Sequence, residues 1–248
     1  VTLLLANGCS HTSGSYIEST HLPCYNQAWP KWLADDMGWD WVNLAEAANS
    51  NEQIKRTTIE WIIENVEITN KYKASELVVM IMWSGFDRFE IWNDNLHKLT
   101  SGNAISDFRN CSYEVTEYIK YRTITSKTEV IEYRNLMDVY LTAKYLEGLK
   151  IKYYFINSLN CWRDPDSYSK LTRSNNLIKN YKLLYDAYGH RRNRHLAFSL
   201  LEERFRQYMR EQKIPFSVYD PVKLHFGVEG HKVWKEYVKQ WMTRIDNV

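Results

Sequence analysis

Two short stretches, far apart in the chain, hold the residue types best suited to chemistry. The first is Asn7-Gly8-Cys9-Ser10-His11-Thr12-Ser13-Gly14, where the apolar run Thr2–Asn7 stops at a glycine and gives way to small and polar residues. A turn of this kind exposes a side chain at the carboxyl end of a strand and aims backbone N–H groups at the same space. Phosphate binding and nucleophilic attack both use that arrangement. A phosphate loop has four residues between its glycines and then Lys-Ser/Thr; here five intervene and Ser15 follows Gly14, so the required lysine is missing. A serine hydroxyl is a poor nucleophile until a base takes its proton and N–H donors hold the developing oxyanion. Ser10 is placed for that role, with its own N–H as one donor. Taken alone, a serine in a polar turn is a turn-former or a helix cap, so the nucleophile reading needs a histidine from elsewhere.

The second stretch supplies one. In Tyr219-Asp220-Pro221-Val222-Lys223-Leu224-His225-Phe226-Gly227-Val228-Glu229-Gly230-His231, a strand is expected to end near Tyr219 and a helix to start near Glu229. His225 then lies in a loop at the same sheet edge as Ser10, within reach of its hydroxyl as general base. Asp220 on that loop is placed to accept the other imidazole N–H and stabilise the imidazolium. His231 is the rival base, but it falls in the first turn of the helix, where the dipole disfavours its charged form. His225 is preferred.

Both loops need a frame, and the apolar pattern provides it. Thr2–Asn7, Trp39–Leu44, Glu76–Trp83, Lys150–Asn157 and Ile214–Tyr219 read as five short strands, the third being the clearest buried one. Asn26–Met37, Ser50–Tyr72, Val130–Leu149, Leu196–Gln212 and Glu229–Ile245 carry apolar residues at helical spacing between them. Gly38 reads as a helix stop. Strand–helix alternation predicts a parallel sheet with helices on both faces, in one domain spanning 1–248. Two stretches break the alternation, near 93–128 and 160–195. Both leave the carboxyl edge of the sheet, where open α/β sheets bind ligands, so they are candidate lids or ordinary surface elaboration. Tyr113–Thr125 reads as hairpin or helix, and the basic run His190–His195 as a solvated face or a docking face.

Composition narrows the classes. The chain has 248 residues, 44% hydrophobic and 25% charged, with 9 Gly and 5 Pro, which excludes collagen-like and low-complexity chains. A net charge of +2 predicts no nucleic-acid partner. Apolar runs such as Leu77–Trp83 are too short to span a bilayer, and Val1-Thr2-Leu3-Leu4-Leu5-Ala6 has no basic stretch before it. Neither a membrane association nor a signal peptide is therefore expected, which points to the cytoplasm of the producing cell or to a virion. Cys9, Cys24, Cys111 and Cys161 are scattered with no C-x-x-C pair, so reduced thiols are expected and a zinc site is not. Asn110-Cys111-Ser112 reads as a chance sequon. At 15% the aromatic content is heavy; most of it is expected in the core, with the remainder available to line a sugar groove.

Taken in order, these stretches resemble the blocks of the SGNH hydrolases, also called the GDSL esterases. Gly8-Cys9-Ser10 matches their Gly-Asp-Ser turn, with Cys9 at the aspartate. Asn43-Leu44-Ala45-Glu46-Ala47-Ala48-Asn49-Ser50-Asn51-Glu52-Gln53-Ile54 is similar to the second block, and Trp83-Ser84-Gly85-Phe86-Asp87-Arg88 stands at the third. His225 to Trp234 looks like the "His-Pro…Gly-His…Trp" form of the last block, in the divergent version often encoded by bacteriophages. The resemblance implies a three-layer α/β/α sandwich around a parallel sheet of about five strands, flavodoxin-like in order. It also implies ester hydrolysis without metal or organic cofactor. Ser10 would attack, His225 would act as base and then acid, and Ser10 and Ala48 N–H groups would hold the oxyanion. The third-block Asn has no match, leaving Asn49, Asn51 or Ser84 to replace it. The acid usually three residues before the histidine is Val222, leaving Asp220 or a backbone carbonyl to orient His225. The expected substrate is a small-molecule or glycan ester, with O-acetylated carbohydrate favoured. The competing readings are a non-catalytic phage structural or interaction protein with virion or oligomer partners, and a nucleotide-binding flavodoxin-like protein, which lacks its phosphate loop.

Overall fold

The computed structural model describes residues 1–18, 22–86, 88–92, 96–100, 128–158, 205–220 and 225–246. Strands β1 (Leu3–Asn7), β2 (Asp40–Asn43), β3 (Leu77–Trp83) and β6 (Lys152–Asn157) form a parallel sheet in the order β2-β1-β3-β6. A separate antiparallel hairpin joins β4 (Arg88–Trp92) to β5 (Leu96–Thr100).

The alternating side chains of β1, β3 and β6 feed two cores. On one face Leu3, Leu5, Val79, Ile81, Trp83, Tyr153 and Phe155 pack with Ile54 and Ile62 of helix α3 (Asn51–Ile62) and with Leu136, Val139 and Leu146 of α4 (Thr128–Gly148). On the other, Leu4, Met80, Met82, Tyr154 and Ile156 pack with three helices. These are α2 (Trp29–Met37), α5 (Phe205–Glu211) and α6 (Val228–Asp246), which contribute Trp29, Leu33, Phe205, Met209, Trp234 and Val238. Helices on both faces of a parallel sheet make the expected three-layer α/β/α sandwich. Central strands buried on both sides carry continuous apolar runs for that reason.

The sheet has four strands among the described residues, not five. Ile214–Tyr219 does not join it. Pro215 lacks the N–H that a ladder requires, Val218 is 89% exposed, and Phe216 forms only an isolated antiparallel bridge with Phe226. Helix boundaries follow the apolar pattern more closely. Gly38, at φ 66°, closes α2 by donating its N–H to the carbonyls of Ala34 and Asp35. Ser50 caps α3 by accepting the Gln53 N–H at 3.1 Å, and α3 continues into a π-turn over Ile63–Ile68. The segments 160–195 and Tyr113–Thr125, the run His190–His195, the sequon and the first half of the helix expected over Leu196–Gln212 lie outside the described residues.

The chain runs from β1 outward to β2 and then crosses to β3 on the other side. The carboxyl ends of β1 and β3 therefore flank a topological switch point, the usual place for a ligand crevice in such sheets. Among the described residues no helix is long and apolar enough to cross a membrane, and no cluster of three His, Cys, Asp or Glu side chains is arranged to hold a metal ion.

Candidate active site

The turn after β1 is built around backbone contacts that leave no room for larger residues. A Cβ on Gly8 would stand 2.2 Å from Thr12 Oγ1 and 2.9 Å from the Met82 carbonyl, so β1 can turn this close to β3 only at a glycine. Asn7 anchors the same turn. Its Nδ2 donates to the Ile54 carbonyl, Thr57 Oγ1 and Thr58 Oγ1 at 3.0, 2.8 and 2.9 Å, while its Oδ1 accepts the Gly8 N–H at 2.8 Å. A single helical turn, α1 (Ser10–Ser13), then places Ser10 at its start, and Gly14 closes it at φ 75°. Ser10 is 5% exposed, and its N–H, in the first turn of a helix, has no intrahelical acceptor.

The loop before α6 brings the other groups. His225 Nε2 lies 2.8 Å from Ser10 Oγ, and His225 Nδ1 lies 2.8 Å from Asp220 Oδ2. That same carboxylate oxygen accepts the His225 backbone N–H at 2.7 Å. A carboxylate only accepts, so the imidazole hydrogen belongs on Nδ1 and Nε2 is left to accept from the Ser10 hydroxyl. The geometry thus brings Ser10, His225 and Asp220 into one chain of hydrogen bonds, with the carboxylate rather than a backbone carbonyl orienting the ring. Ser217 N–H donates to the His225 carbonyl at 2.8 Å and pins the two ends of this loop together.

His231, the rival base, points elsewhere. It is 1% exposed and its Nδ1 accepts the Trp29 N–H at 3.3 Å. Burial, with a smaller contribution from His225, pushes its pKa down to about 3. The imidazole is then neutral in the fold, whereas its ordinary value of 6.5 applies in the unfolded chain. Below pH 6.5 the unfolded state gains a proton that the folded state refuses, so stability is present above that pH and is lost as pH falls toward 3. The slope is about 1.4 kcal/mol per pH unit, or roughly 2 kcal/mol between pH 6.5 and 5. In urea titrations at pH 7 and pH 5, His231→Gln, which keeps an acceptor for Trp29, is expected to lose less stability on acidification than wild type by about that amount.

The oxyanion candidates separate. Ala48 has φ 67°, in the left-handed region that favours glycine, so the turn retains a glycine conformation although the residue is alanine. Asn49 Nδ2 donates one hydrogen to the Gly8 carbonyl at 3.0 Å, which sets its amide against the Ser10 turn. Asn51 is spent on structure: its Nδ2 donates to the Ser84 carbonyl at 3.2 Å and to Asn135 Oδ1 at 2.8 Å, and its Oδ1 accepts the Ser84 N–H at 2.7 Å. Ser84 in turn accepts from the Arg88 guanidinium at 2.8 Å through its hydroxyl. Asn51 and Ser84 therefore tie α3 to the end of β3 rather than offering donors to a substrate.

Cys9 also faces away from the nucleophile. It is fully buried, with Sγ 3.6 Å from Ser158 Oγ. Burial raises its pKa, but the Arg88 charge, the His11 N–H and the Ser158 and Ser84 hydroxyls outweigh that and leave it below the ordinary thiol value.

One participant escaped the sequence reading. The Tyr16 ring stacks on His225 with centroids 4.6 Å apart and planes 30° apart, and the His11 ring lies 4.9 Å away at 38°. No periodicity marks Tyr16; an aromatic just beyond the Gly14 stop was the only signal.

A family model described as "Family of unknown function (DUF6071)" matches residues 19–192, a span that contains neither Ser10 nor His225. No curated protein matches the sequence. Among solved structures, the psychrotrophic esterase EstA from Pseudoalteromonas sp., in a form inhibited by monoethylphosphonate, is similar over 100% of both chains at TM-score 0.50 and 12% identity. A member of the lipolytic G-D-S-L family from Veillonella parvula is similar over 98% of this chain and 100% of its own, at TM-score 0.49 and 13% identity. At such identity the EstA likeness shows the fold alone, a three-layer α/β/α sandwich.

Proposed function

We propose that this chain, which belongs to the family of unknown function DUF6071, is a serine hydrolase of esters with Ser10 as nucleophile. The observation that carries the reading is the hydrogen-bond chain from Ser10 Oγ through His225 to Asp220, each link 2.8 Å. In the first step Ser10 Oγ bonds to the ester carbonyl carbon while its proton passes to His225 Nε2. The Ser10 N–H, the Ala48 N–H and the Asn49 amide are the donors available to the oxyanion. On collapse of the tetrahedral adduct, His225 returns the proton to the departing alcohol and Ser10 keeps the acyl group. Water then repeats the sequence with His225 as base, releasing the acid and free Ser10. Asp220 holds the tautomer and offsets the charge on the imidazolium throughout.

The substrate class carried with this reading is a short acyl ester, with acetylated carbohydrate favoured. The resemblance of the motif blocks supports it. The fully buried Trp29, Trp83, Trp234, Tyr153 and Tyr154 are core residues and add nothing to it.

The test is hydrolysis of p-nitrophenyl acetate together with labelling by a fluorophosphonate. Turnover and a mass increment on the Ser10 peptide are expected in wild type; Ser10→Ala should lose the label and about 10⁴-fold or more in turnover. Turnover undiminished in Ser10→Ala would refute the assignment, and an inert, unlabelled wild type would favour the non-catalytic reading. Acetate release from acetylated glycans, set beside hydrolysis of simple lipid esters, checks the alcohol.

A further inference from the structure

We propose that Tyr16 is a positioning residue that holds the plane of His225 and whose ring face stabilises the imidazolium formed when His225 takes the Ser10 proton. This rests on the hydrolase reading of Ser10 and His225. Three observations carry it. The two rings are stacked at 4.6 Å and 30°, which puts the imidazole over the electron-rich face of the phenol ring. Tyr16 reaches that position through a backbone φ of 65°, which a bulky residue adopts only when its surroundings impose it. The imposing contact is visible: the Ser217 hydroxyl donates to the Tyr16 carbonyl at 2.6 Å.

Ser217 is thus a clasp between the two halves of the site. Its hydroxyl holds the Tyr16 turn, and its backbone N–H holds the His225 carbonyl. The turn that follows the nucleophile and the loop that carries the base are fastened to each other through one residue. With Tyr16 and His11 both against the imidazole, the ring has little freedom to rotate about its bond to Cβ. Rotation would break the Ser10 and Asp220 hydrogen bonds together. A bare hydrophobic cover would restrict rotation equally, but only an aromatic face also favours the charged ring.

Several groups among the described residues face His225. Asp220 and Ser10 take its two ring nitrogens, and His11 and Tyr16 flank it. His231 of α6 is close enough for the His225 charge to help keep it neutral.

The experiment follows the His225 imidazole C–H resonance by NMR through a pH titration of the full chain, assigned by its loss in His225→Gln. Wild type is compared with Tyr16→Phe, Tyr16→Leu and Ser217→Ala. Leucine keeps an apolar cover but removes the aromatic face. The His225 midpoint is expected to fall by about half a pH unit in Tyr16→Leu and to stay in place in Tyr16→Phe. On p-nitrophenyl acetate, kcat should fall about tenfold in Tyr16→Leu with KM little changed, and Tyr16→Phe should restore it. Ser217→Ala, which leaves the core intact, should move both readouts in the same direction by less. A midpoint unmoved in both Tyr16→Leu and Ser217→Ala overturns the proposal. Because the titration needs no turnover, it decides Tyr16 even if Ser10→Ala leaves ester hydrolysis intact and so removes the hydrolase reading.

Discussion

Ser10→Ala and His225→Ala are each expected to lower kcat on a turned-over ester by about 10⁴- to 10⁶-fold, and the double variant by no more than the worse of the two. The reason is that Ser10 and His225 act as one unit across their 2.8 Å contact. Without the imidazole the hydroxyl keeps its proton, and without the hydroxyl the imidazole has nothing to activate but water. Residual turnover of roughly 10³-fold over solution would persist, because the oxyanion donors and the binding surface remain. The measurement is a double-mutant cycle in kcat, with circular dichroism to verify folding. Losses that multiply in the double variant would mean that the two side chains act independently, contrary to the hydrogen-bond chain.

Asp220→Asn and Asp220→Ala are expected to behave very differently. In a triad where the substituted amide is free to turn, its N–H₂ faces the imidazole, the wrong tautomer results, and about 10⁴-fold is lost. Here one carboxylate oxygen receives both the His225 ring N–H and the His225 backbone N–H, at 2.8 and 2.7 Å. An asparagine that turned its N–H₂ inward would set two donors against each other at the backbone contact. Its oxygen should therefore stay where the Asp220 oxygen is, the tautomer should survive, and kcat should fall only about 10²-fold from loss of the charge. Asp220→Ala leaves a buried backbone donor without its acceptor as well as an unheld ring. It should cost about 10⁴-fold in kcat and about 1–3 kcal/mol of stability. Kinetics and urea midpoints of the pair check this, and equal losses of activity would show that the backbone contact does not hold the amide.

The parts of the fold that were legible in the sequence are those where burial alone dictates residue type. β1, β3 and β6 are covered on both faces, so Leu3–Leu5, Leu77–Trp83 and Tyr153–Ile156 run apolar without a break. Ile214–Tyr219 carries the alternation of a strand, yet its residues answer to the Phe226 bridge and the His225 carbonyl rather than to a sheet. Periodicity reports burial, and it does not report what does the burying. At the site, Ser10, His225 and Asp220 could be singled out because strand ends and residue types are local properties. The assignment of Asn51 could not be made that way. Its donors are taken by Ser84 and by Asn135, which lie 33 and 84 residues away, and no local spacing announces such partners. Tyr16 is of the same kind: its stacking partner is a ring brought from a distant part of the sequence.

That distance along the sequence gives the site a timetable. Ser10 and His225 are separated by 215 residues, so the contact cannot close until the chain through His225 has been made. At ribosomal rates of about 5–20 residues per second, the serine emerges roughly 10–40 s ahead of the histidine that would activate it. Throughout that interval the nascent chain holds an ordinary, unreactive hydroxyl. Closing so long a loop is also among the slower contacts to form. The Ser10–His225 contact therefore reports that synthesis has passed His225: a chain stalled before that residue carries the serine without the imidazole beside it.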